Sequence, residues 1–90
     1  DRFRLDVRVV LWEGDSVLKV PASALFRRGD EWALFTIEEG RARERTVTAG
    51  HDSSTETEIL SGVAPGALVI RHPTDRIREG TRVSYMPPRD

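Results

Sequence analysis

Phe3, Leu5, Val7, Val9 and Leu11 alternate with Arg4, Asp6, Arg8 and Val10. A repeat of two gathers the apolar row on one face, so the opening of the chain predicts a half-buried strand. Glu13-Gly14-Asp15 has turn chemistry. Val17-Leu18-Lys19-Val20 predicts a second short strand, stopped by Pro21, which has no amide hydrogen to give a ladder. Ala22-Ser23-Ala24-Leu25-Phe26 fits either one helical turn capped by Ser23 or an extended run. Past a tight turn at Arg27-Arg28-Gly29-Asp30, the aromatic and branched residues of Glu31 to Ile37 predict a strand. Glu38-Glu39-Gly40 reverses it, and the return through Arg41 to Ala49 completes a β-hairpin. The return strand alternates poorly, with Arg41, Arg43 and Arg45 in phase with Val47. Its first half is therefore expected at an edge or bulged.

Gly50 to Thr57 reads as a polar loop. Glu58 to Ser61, Ala67 to Ile70 and Thr81 to Tyr85 complete the predicted strands, and Met86 to Asp90 reads as an exit linker. No segment predicts a helix longer than about a turn. About seven short strands, with turns every eight to twelve residues, predict an all-β fold, a small β-barrel or β-roll.

Composition narrows the function classes. Ninety residues hold one small domain at most, with a modest core. The fourteen basic residues are thirteen arginines and Lys19, interleaved with fifteen acids to a formal net charge of -1. That balance argues against nucleic-acid binding by phosphate neutralisation. With no cysteine, the chain has no disulfide, thiolate nucleophile or cysteine zinc site. The chain opens inside a strand pattern at Asp1-Arg2-Phe3, which suggests a piece cut from a longer protein.

Candidate chemistry is sparse. His51-Asp52-Ser53 sets three triad residue types side by side, but neighbours on an extended segment point apart, and a triad needs two successive hydrogen-bonded pairs. His51, Asp52, Glu56 and Glu58, with His72 and Asp75, could ligate a metal only if brought together, and two histidines at wide spacing predict loop polarity instead. Trp12, Trp32, Phe26 and Phe35 offer a ligand platform on one reading and core on the commoner one. Arg41, Arg43 and Arg45 lie among Glu38, Glu39 and Glu44, which favours a solvated edge over an RNA- or lipid-binding face. Gly62 to Gly66 lacks the Lys-Ser/Thr ending of a phosphate loop, so its glycines are assigned to turns. No catalytic residue, metal site or cofactor is predicted.

Three segments in register carry a family resemblance: Val17 to Phe26 with its Val-Pro-Ala-Ser-Ala-Leu-Phe ending, Trp32 to Gly50 with the Glu39-Gly40 turn, and Glu58 to Val83 with Leu60-Ser61-Gly62 and Pro65-Gly66. Together they resemble the membrane-proximal end of periplasmic adaptors, the HlyD-like membrane fusion proteins of bacterial efflux and secretion pumps. The resemblance implies that residues 1–16 end a β-barrel domain, 17–85 form the membrane-proximal β-domain, and 86–90 are a tail. It implies a non-catalytic periplasmic subunit, associated with the inner membrane, that couples an inner-membrane transporter of RND or ABC type to an outer-membrane channel. Copies would self-associate in a ring, and the channel contact would fall to other parts of the adaptor. The loops at 50–57 and 72–80 are then the expected partner contacts, with Asp52, Glu56, Asp75 and Arg76 as their charged residues. A reading from another class remains beside it: a free-standing β-barrel module that binds a ligand or carbohydrate through Trp12 or Trp32.

Overall fold

The computed structural model describes residues 3–5, 7–9, 12–13, 17–73 and 77–85. Ten strands occur in them: β1 (Phe3–Leu5), β2 (Val7–Val9), β3 (Trp12–Glu13), β4 (Val17–Pro21), β5 (Phe26–Arg28), β6 (Glu31–Glu38), β7 (Arg41–Asp52), β8 (Glu56–Ser61), β9 (Leu68–Ile70) and β10 (Val83–Tyr85). The principal sheet runs β2-β9-β6-β7-β8-β4-β3, with β5 also paired to β6, and β1 pairs with β10 in a separate two-stranded sheet. The all-β expectation holds, and the principal path has the expected seven strands.

β6 is the centre of the domain. Its residues Ala33 to Ile37 are buried in an unbroken run, the mark of a strand covered on both faces. Leu34 belongs to one apolar cluster with Leu18, Val20, Ala24, Val47, Ile59 and Val69. Its neighbour Phe35 points the other way, into a second cluster with Val7, Ile37, Ala42, Ile70, Ile77 and Val83. Phe26 stacks on Phe35 with ring centroids 5.2 Å apart. A 90-residue chain thus builds two small cores on either side of one strand instead of a single large one.

The β6–β7 hairpin forms as expected. Glu38 pairs with Arg41, leaving Glu39 and Gly40 as a two-residue turn with both φ values positive, 55° and 76°. That is the turn whose twist matches antiparallel strands, and glycine accepts the conformation without strain. The Ala22 to Phe26 segment combines both alternatives: a 3-10 turn over Ala22–Ala24, then β5. Ser23 does not cap that turn. Its hydroxyl donates to the Arg71 carbonyl oxygen at 2.9 Å and ties the turn to the end of β9.

Three expectations need correction. The alternating opening is not one strand with one partner: β1 pairs in parallel with β10, β2 antiparallel with β9, and β3 with β4. The segment Gly50 to Thr57 is mostly strand, because β7 continues to Asp52 and β8 begins at Glu56. Alternation hides behind polar names there: Thr57 is buried, opposite Val20, while Glu56 and Glu58 flank it. Third, the irregularity of β7 lies in its second half, where the register against β8 shifts between Thr48 and Ala49 and again between Ala49 and Asp52. The first half is covered by residues 79–83. Ala42 N–H donates to the Thr81 carbonyl at 2.8 Å, Gly80 N–H to that of Ala42 at 2.6 Å, and Val83 N–H to that of Gly40 at 2.9 Å.

Candidate partner-contact surface

The three arginines of β7 are committed to partners within the chain. Arg45 grips the Glu38 carboxylate through Nε and Nη2, with contacts of 2.7 to 3.1 Å. Thr36, buried beneath, donates its hydroxyl to Glu38 Oε2 at 2.9 Å. Arg43 donates to Glu79 Oε2 at 2.9 Å, and Arg41 to the Gly80 carbonyl at 3.1 Å. Arg28 makes a two-pronged pair with Glu44, at 2.9 and 3.0 Å, and its guanidinium lies 5.1 Å from the centre of the Phe26 ring. Guanidiniums engaged this way are poorly placed to collect phosphates or lipid headgroups.

The acids of this network are held below the usual carboxylate range. For Glu38 the main cause is the Arg45 hydrogen bond, with Thr36 adding to it. For Glu79 the main cause is the backbone N–H of Glu44, which donates to Oε1 at 2.6 Å, followed by the Arg43 hydrogen bond. Glu79 therefore occupies an open hydrogen-bonding position on the edge of β7 as a carbonyl would, and pairs with the neighbouring arginine as well.

A second polar region is the β7–β8 hairpin tip. β7 ends at Asp52 and β8 begins at Glu56, so the connecting loop is only Ser53, Ser54 and Thr55, and Asp52 pairs with Thr57 across the ladder. Ser53 organises it: its hydroxyl oxygen accepts from the N–H groups of Glu56 at 3.1 Å and Thr55 at 3.4 Å, and the hydroxyl lies 3.2 Å from the Glu56 carbonyl. The Ser53 N–H donates to that same carbonyl at 2.8 Å. His51 is placed by its own backbone N–H, which donates to Glu58 Oε1 at 3.1 Å. The Ser53 hydroxyl thus serves the loop backbone, and the adjacent His-Asp-Ser triplet does not form the relay of a triad.

Beside the tip lies a depression of about 270 Å3, lined by Leu25, Trp32, Ala49, Asp52 and Thr57 among others. Trp32 is 36% exposed, and Arg27 stands over its ring at 5.0 Å from the centroid. Two residues singled out for separate reasons, Asp52 as a contact charge and Trp32 as an aromatic platform, therefore share one concavity. Its volume lies close to the lower bound of the roughly 300–1,000 Å3 typical of small-molecule sites.

Of the four expected contact residues, Asp52 and Glu56 stand at the two strand ends that flank this tip. Asp75 and Arg76 lie outside the described residues, as do the side chain of Trp12, part of the Glu13-Gly14-Asp15 turn and the Met86 to Asp90 linker. His51 and His72 are both exposed. Among the described residues no three His, Asp or Glu side chains gather as a metal site would require. Sequence reasoning missed Glu79, whose partner Glu44 is 35 residues away along the chain; no local pattern announces such a contact.

Residues 17–85 match the family described as YknX, C-terminal permuted SH3-like domain. The chain is also 28% identical, over 64 residues, to the protein named "Putative efflux system component YknX" of Bacillus subtilis (strain 168). That alignment covers 71% of this chain and 17% of the relative, so the chain spans under a fifth of the curated relative it matches.

Proposed function

The chain belongs to the family of YknX C-terminal permuted SH3-like domains, and we propose that it serves as a non-catalytic, membrane-proximal domain of an efflux adaptor. The observation that carries this reading is the family match, which takes in every strand from β4 to β10 and is joined by similarity to an efflux system component. In this role the domain transmits geometry. A strand buried on both faces and a β7 edge sealed by residues 79–83 make a stiff support for the short β7–β8 tip.

The proposed partner is an inner-membrane transporter, of RND or ABC type, whose periplasmic part would meet the membrane-proximal end of a ring of adaptors. Coupling onward to an outer-membrane channel would belong to other parts of the adaptor. The domain division proposed with it keeps 1–16 as the end of an adjoining β-barrel domain, 17–85 as the membrane-proximal unit and 86–90 as a tail. In this reading the end of the adjoining domain would pack onto the membrane-proximal unit through the pairings of β1 with β10, β2 with β9 and β3 with β4. Asp52, Glu56, Asp75 and Arg76 are the proposed contact charges.

The test is co-purification of the full-length parent protein from its native membrane in mild detergent, with partners identified by mass spectrometry. Recovery of a polytopic transporter is the expected result, and the transporter's type would give the energy source. A parent protein that stays unpartnered after crosslinking would overturn the reading. Reversal of all four contact charges is expected to weaken recovery; unchanged recovery and export would remove those residues from the proposal.

A further inference from the structure

We infer that residues 3–13, the stretch assigned above to the end of the adjoining β-barrel domain, staple the two ends of the membrane-proximal sheet together and tie the adjoining domain to the β7–β8 tip. This rests on the adaptor reading above and adds how one domain would pass its position to the next.

The geometry starts at the two ends of the principal path, which are β2 and β3. Laid flat, seven strands would hold these ends about 29 Å apart, six spacings of about 4.8 Å. Yet β2 ends at Val9 and β3 begins at Trp12, three residues on, a reach of about 11 Å at most. The sheet must therefore curl until one stretch of chain serves both ends. Each pairing is antiparallel: Val7 to Val9 lie against Ile70 to Leu68 of β9, and Trp12 and Glu13 against Leu18 and Val17 of β4. The same stretch reaches β10 through the parallel pairing of β1.

Two edges depend on this stretch. Without it, β4 and β9 would each present an open row of backbone donors and acceptors, and such edges recruit other strands. The unit matched by the family, residues 17–85, contains both edges but not the residues that cover them.

The two edges also converge. β4 pairs with β8 as far as Pro21 opposite Glu56, and the next residue, Ala22, donates its N–H to the Thr55 carbonyl at 2.9 Å. Just past the end of β9, the Arg71 carbonyl accepts from the Ser23 hydroxyl at 2.9 Å. Both strands held by the staple thus meet at the Ala22–Ala24 turn, and that turn is bonded to the tip. A displacement of the adjoining domain along residues 3–13 is therefore carried to Thr55 and Glu56 through hydrogen-bonded strands.

The experiment introduces Val9→Cys with Leu68→Cys, opposite each other in register, into the full-length protein. Oxidised and reduced forms are compared by non-reducing gel and by hydrogen exchange with mass spectrometry. The inference expects a disulfide within one copy, and exchange several times slower in the oxidised form at residues 17–20 and 55–57, beyond the crosslinked strands. Val7→Ala shortens a buried side chain of the staple and should act in reverse. Exchange should quicken several-fold at 17–20 as well as 68–70, while Ala33 to Ile37 stay protected. No disulfide, a disulfide between two copies, or changes confined to residues 68–70 would each overturn the inference and leave the adaptor reading intact. A correctly formed internal disulfide in a parent protein that recovers no transporter would overturn that reading and leave the staple.

Discussion

The Cβ that Gly62 lacks would lie 2.7 Å from Cγ1 of Val47 and 2.5 Å from the carbonyl oxygen of Thr46. Gly62 follows β8 directly, and its φ of 114° is open to glycine and strained for other residues. Val47 is a member of the core cluster around Leu34, so the close approach is fixed by packing on both sides. Gly62→Ala should therefore cost more than about 2 kcal/mol, because neither backbone can retreat without opening that cluster. Gly66, with φ of 92° and open space where its Cβ would be, separates strain from collision. Gly66→Ala should lose only about 1–2 kcal/mol, the cost of the backbone conformation alone. Urea denaturation of the two variants checks the order; equal losses would show that the contact with Val47 contributes nothing.

The two core clusters give a second contrast. Leu34 has no exposed surface, and Phe35 is 3% exposed on the opposite face. Leu34→Ala and Phe35→Ala should each lose about 2–5 kcal/mol, enough to unfold so small a domain at moderate temperature. Leu60, one residue beyond buried Ile59 on β8, is 59% exposed. Leu60→Ala should stay within about 0.5 kcal/mol of wild type. Thermal melts of the three proteins test whether both faces of β6 carry stability.

How much of this was legible in the sequence depends on the range over which each signal acts. The β6–β7 hairpin was readable because its evidence is local: branched and aromatic residues up to Ile37, then Glu39-Gly40 where the turn needs positive φ. The β7–β8 tip was misread as a long loop, since Thr57 looks polar yet packs opposite Val20. Its burial is decided by β4, which a window on the sequence around Thr57 does not contain. The same limit hid the meeting of Asp52 with Trp32. Both residues stood out by type, but β7 brings them to one concavity only after two register shifts against β8.

Acid should weaken the fold through Glu38 and Glu79. Both carboxylates are held below their ordinary range in the folded chain, Glu38 by Arg45 and then Thr36, Glu79 by the Glu44 N–H and then Arg43. A carboxylate with a lowered folded pKa stabilises the fold above its unfolded value, near about 4.3, and loses that contribution as pH falls through the folded value. Stability should therefore be flat at neutral pH and decline below about pH 4–5. The double variant Glu38→Gln, Glu79→Gln should show a shallower acid decline, because the amide oxygens still accept hydrogen bonds but bind no proton in this range. Since these side chains are about half exposed, at 44% and 53%, the difference should shrink further in high salt. Melts from pH 3 to 7 at two salt concentrations provide the comparison; parallel acid declines would remove the two glutamates as its source.

Ser53 should control the order of the β7–β8 tip without contributing much to global stability. Its hydroxyl oxygen accepts from the Glu56 and Thr55 N–H groups, and it supports a three-residue connection whose far side begins at Glu56. Removing the hydroxyl leaves those exposed donors to water, so Ser53→Ala should cost about 1 kcal/mol or less in a melt. The local effect should be larger than the global one: the amide of Glu56 loses its hydroxyl partner and should exchange with solvent several times faster. Val47 and Ile59, in the core, should keep their protection. If Asp52 works as a contact charge, a loosened tip must also be re-ordered on binding, which raises the entropic cost and weakens the complex. Hydrogen exchange by mass spectrometry on wild type and Ser53→Ala, followed by transporter recovery with the same variant, tests both steps. Faster exchange with unchanged recovery would place the tip outside the interface, and unchanged exchange would show that the strand ends alone hold it.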